Sequence, residues 1–215
     1  MDEKVFQAAL AGLLHDIGKV EQRAQDDPRR PPDGIECQGQ PVHAAWTQYF
    51  IDNLPQRYRQ AARPAMYHHQ PEKSPAVDQS LSELIALADK LSAGERADPE
   101  DPTQQPPMQM LTIFDRIYLE GKSKAPGDHY LPLAELKLDE KAIFPGAAWS
   151  LDKQRHAYGE LRDALRAAAK QDIEDRETYL ENLLGAMQRY TWCVPSAYYH
   201  SVSYTHLTLP TIYTV

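Results

Sequence analysis

The chain of 215 residues carries a formal net charge of −8, 42% hydrophobic residues and 17 prolines. That length holds one sizeable domain, or one domain and part of another, and the acidic balance argues against electrostatic gripping of duplex nucleic acid, which needs a basic face. No run of eighteen apolar residues offers a membrane span, and the start, Met1-Asp2-Glu3-Lys4, lacks the layout of a secretion signal. Cys37 and Cys193 form neither a disulfide framework nor a zinc spacing. They read as a loop thiol and a small buried hydrophobe in a cytoplasmic protein. Acidity does not remove nucleases from consideration, because a bound divalent ion supplies its own positive charge.

Val5, Phe6, Ala9, Leu10, Leu13, Leu14 and Ile17 recur at helical spacing and predict an amphipathic helix over 4–17, with Gly18 as its terminator. His15 and Asp16 fall in its last turns. Lys19 follows the helix end, as either a solvated ammonium favoured by the helix dipole or a phosphate contact. Residues 24–41, rich in Asp, Pro, Gln and Gly, read as a mobile loop with Arg29-Arg30 as surface charge. A second helix over 42–54 places His43, Trp46, Thr47, Phe50 and Leu54 on one face and stops before Pro55. His43 is there either a satisfied core histidine or a ligand.

A third helical stretch over 56–69, restarted at Pro64, delivers His68-His69 ahead of Gln70-Pro71. Either both imidazoles point at one ion or one of them is merely exposed. Ser74-Pro75 reads as the N-cap and first residue of a helix carrying Val77, Leu81, Leu84, Ile85 and Ala88, with Asp89 beside that stripe. A carboxylate so placed needs a partner: a metal, Lys90 or Arg96. Beyond a Pro/Asp/Gln linker over 97–107, residues 110–119 and 130–138 alternate rather than spiral and predict two short strands. Residues 151–169 and 176–190 return to helical spacing. Their core positions are Leu151, Tyr158, Leu161, Leu165 and Ala168, then Tyr179, Leu180, Leu183, Leu184, Met187 and Tyr190.

The order His15-Asp16, His43, His68-His69, Asp89 mixes imidazole and carboxylate donors, the set suited to Mn, Fe, Ni or Zn. It resembles the ligand order of the HD metallophosphohydrolases. Several stretches sharpen the resemblance: Leu14-His15-Asp16-Ile17-Gly18-Lys19, His43-Ala44-Ala45-Trp46-Thr47, His68-His69, Ala88-Asp89-Lys90-Leu91-Ser92-Ala93-Gly94-Glu95-Arg96, Thr112 to Ile117 and Tyr190 to Ala197. From residue 5 to about residue 199 the chain is similar to the N-terminal region of the large subunit of type III-A CRISPR effector complexes, the Csm-complex member of the Cas-ten family.

That resemblance implies a mainly α fold. An HD-domain helical bundle, circularly permuted and incomplete, is expected over 1–96, a linker with short strands over 97–150, and a helical lead-in to a palm domain over 151–200. The implied activity is cleavage of single-stranded DNA with a divalent transition metal (Mn, Ni or Fe) in antiviral defence. CRISPR RNA and the small and backbone subunits are the implied partners, with no membrane. The implied metal shell is His15, Asp16, His43, one or both of His68 and His69, and Asp89. In metal-assisted hydrolysis Asp16 would bridge ions or orient the attacking water, and Lys19 would touch a phosphate oxygen. The palm's Gly-Gly-Asp-Asp motif is absent, so synthesis of cyclic oligoadenylate from ATP is not expected of this chain. The family's further Asp-His helix is absent as well; residues 201–215 read as a translated sequencing-adapter tail, in which His206 is no substitute ligand. Two rivals share the same ligands: an HD nucleotide phosphohydrolase, which leaves the region beyond 97 without a role, and a non-catalytic scaffold subunit of a CRISPR ribonucleoprotein.

Overall fold

The computed structural model describes residues 1–93, 107–112, 128–140 and 144–195. It is mainly helical. Helix α1 (Glu3–Leu14) starts where the Asp2 carboxylate accepts the Lys4 and Val5 amides, and it buries Phe6, Leu10, Leu13 and Leu14. Such a cap satisfies amides that have no partner inside the helix.

The helix expected over 4–17 stops at Leu14, and a second helix, α2 (Gly18–Arg23), begins at the residue expected to end the first. Gly18 does not take the left-handed conformation of a helix terminator. A Cβ there would lie 1.9 Å from the His43 carbonyl oxygen and 2.5 Å from the Thr47 amide nitrogen. Glycine is present because two backbones touch, and a side chain would separate them.

Residues 24–41 carry turns and no helix or strand, as expected. The Trp46 indole N–H donates to the Arg30 carbonyl at 3.2 Å and ties this loop to α3 (Val42–Asp52). Helix α3 buries Trp46, Thr47 and Phe50, while Arg29 and Arg30 stay exposed beside Asp27 and Asp33. Helix α4 (Gln56–Ala62) passes into a 3₁₀ turn, Arg63–Tyr67, at Pro64, and a second 3₁₀ turn covers Pro71–Lys73.

Helix α5 (Gln79–Ala93) begins four residues after Pro75, so Ser74-Pro75 is not its cap. Ser74 is buried, its hydroxyl accepting from Ser82 at 2.9 Å, and Pro75 to Asp78 form a turn closed by the Asp78 amide on the Pro75 carbonyl at 2.8 Å. The inward stripe of α5 is accordingly Ser82, Ile85, Ala86 and Asp89, whereas Val77, Leu84 and Ala88, expected in the core, are exposed.

Among the described residues, 130–138 form no strand. The backbone pairs only at single bridges, Leu111 with Tyr130 and Tyr130 with Gly146. Most of the other expected strand, all but the last residue of the linker expected over 97–107, and the expected tail lie outside the described residues. Helices α6 (Leu151–Ala169) and α7 (Arg176–Thr191) have the expected spans, capped by Ser150 and Asp175. Leu151 is exposed; Tyr158, Leu161, Leu165, Tyr179, Leu183 and Met187 are buried.

Those six side chains share one hydrophobic cluster with Phe6, Leu10 and Leu14 of α1 and Phe50, Leu54 and Tyr58. The Tyr58 and Tyr179 rings stack with centroids 3.8 Å apart, and the Tyr58 hydroxyl donates to the Ile173 carbonyl. Polar ties reinforce the contact of α6 with α2. Glu21, buried on α2, accepts two hydrogen bonds from the Arg166 guanidinium at 2.7 and 2.6 Å. Arg23 donates to the Tyr158 hydroxyl and to the Pro195 carbonyl. Burial pushes the Glu21 carboxyl upward, against the opposing pull of Arg166. Cys193 is the buried thiol expected, its Sγ 3.6 Å from the Ala134 carbonyl oxygen, and burial pushes its pKa up to about 11. Among the described residues no helix is long and apolar enough to cross a membrane.

The α2–α3 contact generates a test. Gly18→Ala places a methyl group against backbone atoms that cannot rotate away, so it should cost about 3 kcal/mol or more. Urea unfolding followed by far-UV circular dichroism reads that loss, and Gly12→Ala, where a Cβ meets nothing within 4 Å, is the control expected to be neutral or stabilising.

Candidate metal centre

Four separate segments bring their polar side chains to one place. The break between α1 and α2 supplies His15, Asp16 and Lys19; the first turn of α3 supplies His43; the end of the Arg63–Tyr67 turn supplies His68 and His69; α5 supplies Asp89. Asp16 lies between them. Its Oδ2 is 3.5 Å from His15 Nε2, and its Oδ1 is 3.6 Å from His43 Nε2 and 3.8 Å from His68 Nε2. His15 Nε2 is also 3.7 Å from Asp89 Oδ1, and His43 Nε2 is 2.8 Å from His69 Nε2. The ligating atoms thus fall into two groups, His15, Asp16 and Asp89, and His43, His68 and His69, each within 4.8 Å, with Asp16 facing both.

Two of the imidazoles are oriented by the same local device. His15 Nδ1 lies 2.7 Å from the Gly12 carbonyl and His68 Nδ1 lies 2.8 Å from the Ala65 carbonyl, three residues earlier in each case. Each histidine follows a helical segment whose last carbonyls have no partner within the helix. A carbonyl only accepts, so Nδ1 carries the proton and Nε2 presents its lone pair to the cluster. That is the tautomer in which a histidine ligates through Nε2.

Electrostatics follow from burial and proximity. Burial is the largest influence on Asp16 and opposes its ionisation, but Lys19 and then His15 and His43 outweigh it and hold the carboxyl well below the usual carboxylate range. Burial lowers His43 to about 3 and His68 to about 4, so both rings are neutral near pH 7. His69 is lowered too, again mainly by burial. His15 moves the other way: burial lowers it, and the Asp89 and Asp16 carboxylates together raise it further. The contact with His15 lowers Asp89.

One atom tests whether a cation fits. His68 Nε2 is buried, makes no hydrogen bond and faces Asp16 Oδ1. An orphaned buried lone pair is costly, and a divalent ion among these nitrogens and carboxylate oxygens would satisfy it. Neutral imidazoles with carboxylates suit a borderline divalent transition metal.

All six side chains expected to ligate are gathered here. Lys19 is not a solvated lysine beyond a helix end; it sits in the first turn of α2 and its ammonium donates to Asp16 Oδ2. Asp89 meets His15 rather than Lys90, which is exposed, while Arg96 lies outside the described residues. Thr47 lies on the buried face of α3, as its spacing predicts, and has a role that the spacing does not reveal. Its hydroxyl donates to the His15 carbonyl at 3.0 Å and accepts the Gly18 amide at 3.2 Å. The signal available was its place one helical turn after His43.

The depressed histidines have a consequence for stability. A ring whose folded pKa lies below its unfolded value of about 6.5 leaves the unfolded chain to take up protons first, so stability is lost as pH falls from there toward 4. Asp16 acts in the same direction below its unfolded pKa of about 4, and His15, being raised, opposes. The metal-free protein should therefore lose about 2 kcal/mol for each of His43 and His68 between pH 7 and pH 4.5. Urea midpoints across that range measure it, and His68→Gln should flatten the profile.

The HD domain family matches residues 1–94. A curated relative, the CRISPR system single-strand-specific deoxyribonuclease Cas10/Csm1 (subtype III-A) of Methanocaldococcus jannaschii, is 27% identical over 199 residues, which cover 87% of this chain and 23% of that protein. The chain thus spans less than a quarter of the length of the relative it matches. No solved structure matches. Residues 1–94 match the HD domain family, and beyond them the chain keeps its similarity to a subtype III-A Cas10/Csm1 protein.

Proposed function

We propose that this chain is the metal-dependent nuclease region of a CRISPR effector subunit and hydrolyses phosphodiester bonds in single-stranded DNA. The observation that carries the reading is the convergence of His15, Asp16, His43, His68, His69 and Asp89, with the unpaired His68 Nε2 aimed at Asp16. His15, Asp16 and Asp89 would hold one divalent ion, and His43, His68 and His69 a second, with Asp16 between. Mn, Ni and Fe suit this set. Such ions, when bound, polarise a phosphoryl oxygen and make coordinated water acidic.

The chain's own residues do the rest. Asp16 is held ionised by Lys19, so it can accept a hydrogen bond from the attacking water and orient it. Lys19 can move from Asp16 to a non-bridging phosphate oxygen, meeting the charge that develops there. Single strands are favoured because the net charge of −8 argues against electrostatic gripping of a duplex, and the relative from Methanocaldococcus jannaschii is named as single-strand-specific.

An alignment covering 87% of the chain necessarily runs past residue 94, and α6 and α7 of that region pack into the same core as α1. This supports a CRISPR subunit over a nucleotide phosphohydrolase confined to the HD domain. In this reading 1–96 is the HD unit, 97–150 a linker and 151–200 a lead-in to further domains. CRISPR RNA and the other effector subunits are its cytoplasmic partners.

Incubation with end-labelled single-stranded DNA and Mn²⁺, beside the duplex and free nucleotides, tests the assignment. Wild type should cut the single strand, and the His15→Ala/Asp16→Ala variant should be slower by about 100-fold or more. Equal cleavage by both, or by neither, overturns it; hydrolysis of nucleotides alone favours the phosphohydrolase.

A further inference from the structure

Neighbouring residues of a helix point about 100° apart, yet His15 Nε2 and Asp16 Oδ2 are 3.5 Å apart and face one cluster. The backbone between α1 and α2 explains how. Around the pair, successive amides bond to carbonyls three residues earlier: Ile17 to Leu14 at 3.1 Å, Lys19 to Asp16 at 3.0 Å and Val20 to Ile17 at 3.1 Å. The intervening pair, the Gly18 amide and the His15 carbonyl, is bridged instead by the hydroxyl of Thr47, which accepts from the first and donates to the second. A side chain inserted into a helical hydrogen-bond ladder is a recognised cause of a sharp break. Thr47 is fully buried, so no water can substitute for its hydroxyl without rearrangement.

We propose that Thr47 is a positioning residue of the metal centre. Its hydroxyl holds open the break that turns His15 and Asp16 to the same side. Because Thr47 lies one turn after His43 on α3, the same bridge sets His43 opposite Asp16, at 3.6 Å. Gly18 completes the device, since a side chain there would drive α3 away from the bridge. The inference rests on the metal-centre reading for its consequence, but not for its geometry.

The test compares the full chain with Thr47→Val, which keeps the shape and removes the hydroxyl, and Thr47→Ser, which keeps the hydroxyl. Mn²⁺ binding is followed by electron paramagnetic resonance, and the rings of the metal-free protein by ¹⁵N-histidine NMR. T47V should weaken Mn²⁺ binding about 10- to 100-fold and move the His15 and His43 signals, with T47S within about twofold of wild type. A purely structural threonine would lower the melting temperature and leave affinity and ring signals alone; that result in folded T47V overturns the proposal. If wild type binds no Mn²⁺ while T47V still moves the two ring signals, the positioning role stands and the metal reading fails. Where T47V does not fold, Thr47→Cys, a weaker donor, replaces it, and unchanged ring signals there overturn the proposal equally.

Discussion

An ionised carboxylate removed from water must be surrounded by groups that favour its charge, because a buried unpaired charge is far too costly to retain. Asp16 imposes that constraint on this molecule. It is nearly buried, and its two oxygens face different companions: Lys19 and His15 on Oδ2, His43 and His68 on Oδ1. The companions come from three stretches of chain, so the contacts of α1, α2, α3 and the Arg63–Tyr67 turn all bear on whether a donor reaches this one group. The arrangement leaves the buried His68 Nε2 without a hydrogen bond beside Asp16, a donor that a cation could take up.

Delivering the donors depends on helices that end early. Where α1 stops at Leu14 and the 3₁₀ turn stops at Tyr67, the next residue is a histidine whose Nδ1 takes a carbonyl from the last turn. The helix terminus gains a capped carbonyl, and the ring gains a defined tautomer and direction. A continuous helix through His15 and Asp16 would have satisfied the same backbone groups internally and splayed the two side chains apart. Short helices and breaks, which contribute least to stability, are here what aims the chemistry.

The rest of the chain supports those breaks from behind. Helix α2 has only six residues and cannot be stable alone. It is pinned by Gly18 against α3, by Glu21 on Arg166 and by Arg23 on Tyr158 and Pro195. The last two ties come from residues well over a hundred positions away, so the segment bearing Lys19 is held by α6 and the end of α7. The apolar counterpart is the stack of Tyr58 on Tyr179 within a cluster that joins both ends of the described chain.

Local pattern alone determined much of this protein. Apolar spacing marked α6 and α7 almost to the residue and the starts of α1 and α3, and the chemistry of His15, Asp16, His43, His68, His69 and Asp89 marked which side chains could share a site, since donor type is a property of the residue itself. Only the tertiary structure decided where helices broke and which faces turned inward. Gly18 has the composition of a terminator and acts as a contact because α3 lies against it; Ser74 has the composition of a cap and is spent on Ser82; Leu84 has the composition of core and is exposed because Asp89 must face His15. Thr47 shows the same limit, its hydroxyl serving a carbonyl and an amide some thirty residues earlier in the chain. A hydrogen bond or close approach between distant segments leaves no periodic trace in either one, so these roles existed only once the helices had packed.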